Sequence, residues 1–191
     1  MATDLLALRP ADGFSVILAD PPWSFSTYSA KGHGKSPQSH YACQGLDWIK
    51  ALPVEAIAAK DCLLWLWATA PMLPQAMEVM AAWGFTYKTA GPWAKQSKTG
   101  GEWAFGAGYI FRSAAEFFLV GTRGRPRVAS RSVRNLIVAP VREHSRKPAD
   151  AHRKLSALIP DGPRLEMFAR EAAPGWTAWG NQTTKFQGET P

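Results

Sequence analysis

Apolar residues come in short blocks along this chain rather than in long runs. Phe14–Ala19 (FSVILA) is stopped by Asp20-Pro21-Pro22, which predicts a buried strand ended by proline. Cys62–Trp67 (CLLWLW) predicts a second buried strand. Between them, Leu52–Lys60 reads as a short helix with Pro53 in its first turn. Met72–Trp83 has helical spacing, with Leu73, Met77 and Met80 on one face and Gly84 as the stop. Phe85–Trp93, Glu116–Val120 (closed by Gly121 and Gly124) and Asn135–Ala139 predict further strands. Pro148–Leu158 predicts a helix with an apolar stripe of Ala151, Leu155 and Leu158. Arg164–Ala169 predicts a late strand and Trp176–Trp179 a final one. Strands alternating with helices predict an α/β fold with a mostly parallel sheet, in one domain covering 1–191. Ligands of such sheets sit beyond the carboxyl ends of the strands. Segments 24–45 and 95–110 are rich in Gly, Ser and Lys with little periodicity, which predicts two long loops.

Composition narrows the class. Of 191 residues, 46% are hydrophobic and 19% charged, which fits a globular chain and excludes an intrinsically disordered one. No apolar run approaches the ~18 residues of a membrane span. Met1–Phe14 lacks the order of a signal peptide, and its acidic residues argue against a transit peptide, so a cytoplasmic location with reduced thiols is expected. Cys43 and Cys62 are too few for a disulfide framework or a zinc quartet. His33, His40, His144 and His152 show no metal-ligand spacing, and no metal is assigned.

Charge changes the picture more. The net charge is +7. Arg112–Lys154 holds eleven Lys and Arg against three acids, Glu116, Glu143 and Asp150, so this stretch supplies the entire excess. A patch of this kind suits a polyanion, although a solvated basic face accounts for it equally well.

The chemistry-bearing motif is Asp20-Pro21-Pro22-Trp23, directly after a strand. The exocyclic amine of adenine is a poor nucleophile because its lone pair is delocalised into the ring. A carboxylate can accept one of its N–H groups and a backbone carbonyl held by proline geometry the other. Two prolines make such a corner stiff, so the acceptors are preorganised where positive charge develops. Trp23 offers a flat face for stacking a base.

From this motif outward the sequence resembles the adenine-N6 methyltransferases related to the catalytic subunit of the eukaryotic mRNA methyltransferase. The ordered pieces are VILADPPW (Val16–Trp23), LLWLWAT (Leu63–Thr69), GAGYIFRSAAEFFLVGTRGRP (Gly106–Pro126), RKP (Arg146–Pro148), and RLEMFAR (Arg164–Arg170) followed by WTAWGNQ (Trp176–Gln182). The resemblance implies a Rossmann-like sheet that binds S-adenosylmethionine, in a permuted order with the catalytic strand early and the cofactor strand late. It implies catalytic roles for Asp20, Pro21, Pro22 and Trp23. It places Lys147 on the carboxylate of the cofactor's methionine end, with Asp20, Glu166, Phe168, Arg170, Asn181 and Gln182 also on the cofactor. Trp23, Tyr109, Arg112 and Glu116 fall on the substrate side, and the two long loops are expected to be mobile without substrate. Glu171 and Ala172 stand where the family carries small polar residues.

The expected activity is methyl transfer to the N6 amine of adenine in nucleic acid, DNA preferred over RNA, with the basic stretch holding the backbone. The competing reading is a catalytically silent binding module that partners an active subunit. Relatives occur as monomers, homodimers and heterodimers, so a homodimer or heterodimer is left open.

Overall fold

A computed structural model describes residues 2–23, 45–143 and 146–186. Its elements run α1 (Ala2–Ala7), β1 (Phe14–Ala19), α2 (Leu46–Lys50), α3 (Val54–Ile57), β2 (Ala58–Ala68), a short 3₁₀ turn (Ala70–Met72), α4 (Leu73–Ala82), β3 (Thr86–Gln96), β4 (Ala115–Arg123), β5 (Ile137–Pro140), α5 (Asp150–Leu158), β6 (Arg164–Met167) and β7 (Thr177–Trp179). The strands form one sheet in the order β5-β3-β4-β2-β1-β6-β7. β1 pairs in parallel with β2 and β6, β6 with β7, and β3 with β5. β4 runs against both its neighbours. The α/β class and the mostly parallel sheet are as expected, and so is the order: the early strand carrying Asp20 lies beside the late strand carrying Glu166.

Continuous apolar runs are what a sheet covered on both faces requires. Along β1 and β2 the side chains alternate. Ile17, Ala19, Leu64 and Leu66 enter one core with α4, Val54 and Leu5. Val16, Leu18, Leu63, Trp65 and Trp67 enter a second core under Ala151 and Leu155 of α5. Trp65 stacks on Phe118 with centroids 3.7 Å apart. No helix among the described residues is long and apolar enough to cross a membrane.

The expected helix over Leu52–Lys60 is only one turn, because from Ala58 onward the chain is drawn into β2, where Ala58 pairs with Phe14. Helix α4 buries Ala76, Val79 and Met80 while Met77 is exposed, so its inner face is rotated from the Leu73-Met77-Met80 stripe. Gly84 does end it. With φ +80°, its N–H donates to Ala81 and that of Phe85 to Met80, the paired bonds of a left-handed helix stop that glycine adopts without strain. Gly121 does not close β4 but lies within it. A Cβ there would meet the Met80 sulfur at 2.7 Å, so the glycine serves the helix–sheet approach. β3 extends through Lys95 and Gln96, and β6 stops at Met167 rather than Ala169. Residues 24–44, with His33, His40 and Cys43, and His144 lie outside the described residues.

Candidate active site

Strand direction decides which residues meet. The carboxyl ends of β1, β2, β3, β5, β6 and β7 share one end of the sheet, and reversed β4 brings its first residues, Ala115 and Glu116, to that same end. There a cavity is lined by residues that include Asp20, Trp67, Lys147, Glu166, Phe168 and Arg170.

The corner after β1 is tightly held. The Asp20 N–H donates to the Met167 carbonyl, the Trp23 N–H donates to the Pro21 carbonyl at 2.8 Å, and the Trp23 indole N–H donates to the Trp67 carbonyl at 2.9 Å. Trp23 is 4% exposed and packs in the core. The expectation of an open stacking face is therefore corrected: the indole is a wedge that fixes the corner from below. The carboxylate of Asp20 accepts from Lys147 Nζ at 2.8 Å.

Lys147 is itself shared. Its ammonium lies 3.0 Å from Glu116 Oε1 and 5.7 Å from the centre of the Trp67 ring. The other oxygen of Glu116 accepts from Lys95 at 2.8 Å. An alternating line Asp20–Lys147–Glu116–Lys95 thus crosses the end of the sheet. Burial disfavours charge on Glu116, but Lys147 and Lys95 outweigh it and hold the carboxyl well below the usual range. Burial likewise works against the Lys147 ammonium, yet Asp20 and Glu116 raise its pKa. Opposite charges within hydrogen-bond distance overcome desolvation here. Glu116, expected on the substrate side, is 8% exposed and spends both oxygens on lysines.

Toward β6, Glu166 Oε2 lies 2.8 Å from His152 Nε2, and the His152 ring sits edge-on to Trp176. Phe168 has φ +62°, a left-handed backbone that costs a bulky residue of the order of 1 kcal/mol or more. Its ring is packed against Trp179 and Trp48. Arg146 makes a forked ion pair with Glu171 and lies over the Phe186 ring. Sequence reasoning passed over His152, Arg146 and Glu171 as site residues. The signal for His152 was its place in the first turns of the helix that Pro148 opens. That for Arg146 was its adjacency to Lys147.

Some expected contacts are not brought together. Asn181 and Gln182 follow β7 and are not among the residues lining the cavity. Tyr109 and Arg112 lie in the exposed segment between β3 and β4, where the Arg112 guanidinium stacks 5.0 Å from the Phe105 ring centre.

Residues 14–182 match the profile of the family described as MT-A70. The chain belongs to the MT-A70 family. The resemblance resting on the corner and the pieces after it thus holds at family level. Among curated MT-A70 relatives, the chain is 31% identical to the Type II methyltransferase M.MunI of Mycoplasma sp, over 95% of this chain and 83% of that protein. It is 32% identical to an Arabidopsis thaliana N(6)-adenosine-methyltransferase MT-A70-like protein, over 88% of this chain and 24% of that one. It is 30% identical to the human N(6)-adenine-specific methyltransferase METTL4, over 91% and 38%. The chain therefore spans most of the Mycoplasma protein and well under half of the other two.

Proposed function

We propose that this MT-A70 chain transfers a methyl group from S-adenosylmethionine to the N6 amine of adenine in nucleic acid, DNA preferred over RNA. The observation that carries the reading is the Asp20-Pro21-Pro22-Trp23 corner, pinned by Trp23 and opening on a cavity whose donor set suits that cofactor. Lys147 is a cation for a carboxylate, and Glu166 and Arg170 offer an acceptor and donors for ribose hydroxyls. Phe168 and Trp67 supply apolar wall. When bound, the cofactor supplies an activated methyl on a sulfonium.

The chain's own residues do the rest. Asp20 exchanges its bond to Lys147 for one to an amine N–H of the acceptor, while Glu116 keeps the Lys147 ammonium beside the cavity. The Pro21 carbonyl keeps a second lone pair after accepting from Trp23, so the corner holds a second acceptor for the amine. Holding the amine between fixed acceptors favours a tetrahedral nitrogen and aims its lone pair. No general base is needed, since the nitrogen sheds its proton after methylation. The target base is taken from single-stranded or extruded positions. The chain covers 83% of the Type II methyltransferase M.MunI and 24% of the plant adenosine methyltransferase.

Mass spectrometry of nucleosides after incubation with the methyl donor and either DNA or RNA tests this. N6-methyladenine in DNA, absent with Asp20→Ala, is the expected result. Product in RNA alone overturns the acceptor preference. Product in neither favours the silent binding module.

A further inference from the structure

The basic stretch that the sequence shows as one patch is divided by the fold. Because β4 is reversed, it carries the chain away from the corner: Leu119 pairs with Leu66, the partner of Ala19, so Asp20 is level with Phe118 and Gly124 lies six residues, about 20 Å, further along the sheet. The loop 124–136 starts there and returns along the β3 edge to Asn135, which meets Ala90 just before β5; β5 is four strands from β1, about 19 Å across the sheet. This loop contains Arg125, Arg127, Arg131 and Arg134 and no acid. All four arginines are exposed, and none forms an ion pair among the described residues.

The contrast with other surface cations is informative. Lys50 meets Glu78, Lys98 meets Glu143, Arg123 meets Glu55 and Arg153 meets Asp150. The arginine loop is not loosely attached either. Arg125 N–H donates to Asp61 at 2.7 Å, Ala129 N–H to Leu158 at 2.9 Å, Asn135 Nδ2 to Ala90 at 2.8 Å, and Lys154 to the Arg134 carbonyl at 2.8 Å. The backbone is moored at several points while the guanidiniums stay uncompensated. Four like charges on one moored loop repel, and a polyanion relieves that repulsion.

We propose that this loop is a second contact surface for nucleic acid, gripping phosphates about 20 Å from the corner where the target base is handled. The inference rests on the nucleic-acid reading above and adds a minimum length to the acceptor. A short single strand can fill the corner but cannot reach the loop, and a longer strand or duplex can.

Fluorescence anisotropy with the full chain, labelled single strands of about 3 and about 20 nucleotides and a duplex of about 20 base pairs tests it. The variant is Arg125→Ala/Arg127→Ala/Arg131→Ala/Arg134→Ala, with Arg127→Glu/Arg131→Glu as a second variant should the first fail to fold by thermal unfolding. The expected result is a loss of about 10-fold or more in affinity for the long oligonucleotides and under about twofold for the short ones. The slope of log affinity against log salt should fall by roughly 3. Unchanged affinity and slope for the long oligonucleotides overturn the proposal, as does an equal loss at both lengths. Loss of binding to anionic phospholipid vesicles alone also overturns it, assigning the loop to a lipid surface. Methylation of neither length by the unaltered chain, with the length-dependent binding intact, overturns the catalytic reading and leaves this one standing.

Discussion

Two groups of cations lie within some forty residues of one another, and the fold treats them in opposite ways. Lys147 and Arg146 are drawn inward, and each is met by carboxylates: Asp20 and Glu116 for one, Glu171 for the other. Arg125, Arg127, Arg131 and Arg134 are left in solvent, and among the described residues no carboxylate pairs with their guanidiniums. A charge removed from water needs a partner, and a charge left in water does not. Pairing therefore marks where the chain has invested in a defined internal geometry, and its absence marks where it presents charge outward. Sequence composition records both groups as the same +1.

The sharpest break of the inner group is Asp20→Ala. Methyl transfer should fall by 10²–10³-fold or more, in the range for losing a preorganised group that meets developing charge, with the chain still folded by circular dichroism. Substantial residual turnover in a radiolabel transfer assay removes the carboxylate from the mechanism. Glu116→Gln attacks the same line from its centre. Leaving Lys147 and Lys95 without that buried carboxylate should cost about 3 kcal/mol of stability by chemical denaturation, and a loss under about 1 kcal/mol would mean that solvent already compensates the lysines. Lys147→Ala should weaken binding of S-adenosylmethionine about 10-fold by calorimetry while changing turnover at saturation less, and an unchanged dissociation constant counts against that contact.

Acid offers a milder perturbation of the same group. Glu116 titrates lower in the folded chain than unfolded, so its contribution is complete above pH 4.5 and is lost as pH falls toward about 2. Lys147 titrates higher when folded, so its contribution holds through neutral pH and fades only in strong alkali. The wild-type chain should lose stability on acidification below pH 4.5 more steeply than Glu116→Gln does, and coincident acid profiles would refute that assignment. The smallest effect concerns Cys62. Its thiol is buried in the core and pushed up to about 12 by that burial, the nearby Ala59 hydrogen bond and Arg123 opposing only weakly. Alkylation at neutral pH should be undetectable until the chain unfolds.

Elements whose signal is local were legible from the sequence. β1 and β2 announce themselves as apolar blocks because they are covered on both faces, and Gly84 because a left-handed residue is needed there. The reversal of β4 was not legible, since strand direction depends on neighbours dozens of residues away. Gly121 misled for the same reason: its partner is Met80, forty-one residues earlier. In the site, Asp20 and Lys147 could be found from their proline contexts. The role of Glu116 as the bridge between Lys147 and Lys95 could not, because each contact joins separate strands or a strand and a loop. Trp23 was recognised as part of the corner but given the wrong face, since an aromatic side chain in sequence carries no record of which way it turns.

Reversed β4 also behaves as a ruler. Its first residues touch the line of charges at one end of the sheet and its last, Arg123, leads into Gly124 and Arg125 at the other, so the spacing between that line and Arg125 is set by how many residues it contains. Adding a pair of residues to that strand would keep its inside–outside alternation and push the two ends about 7 Å further apart, while leaving every side chain at either end unaltered.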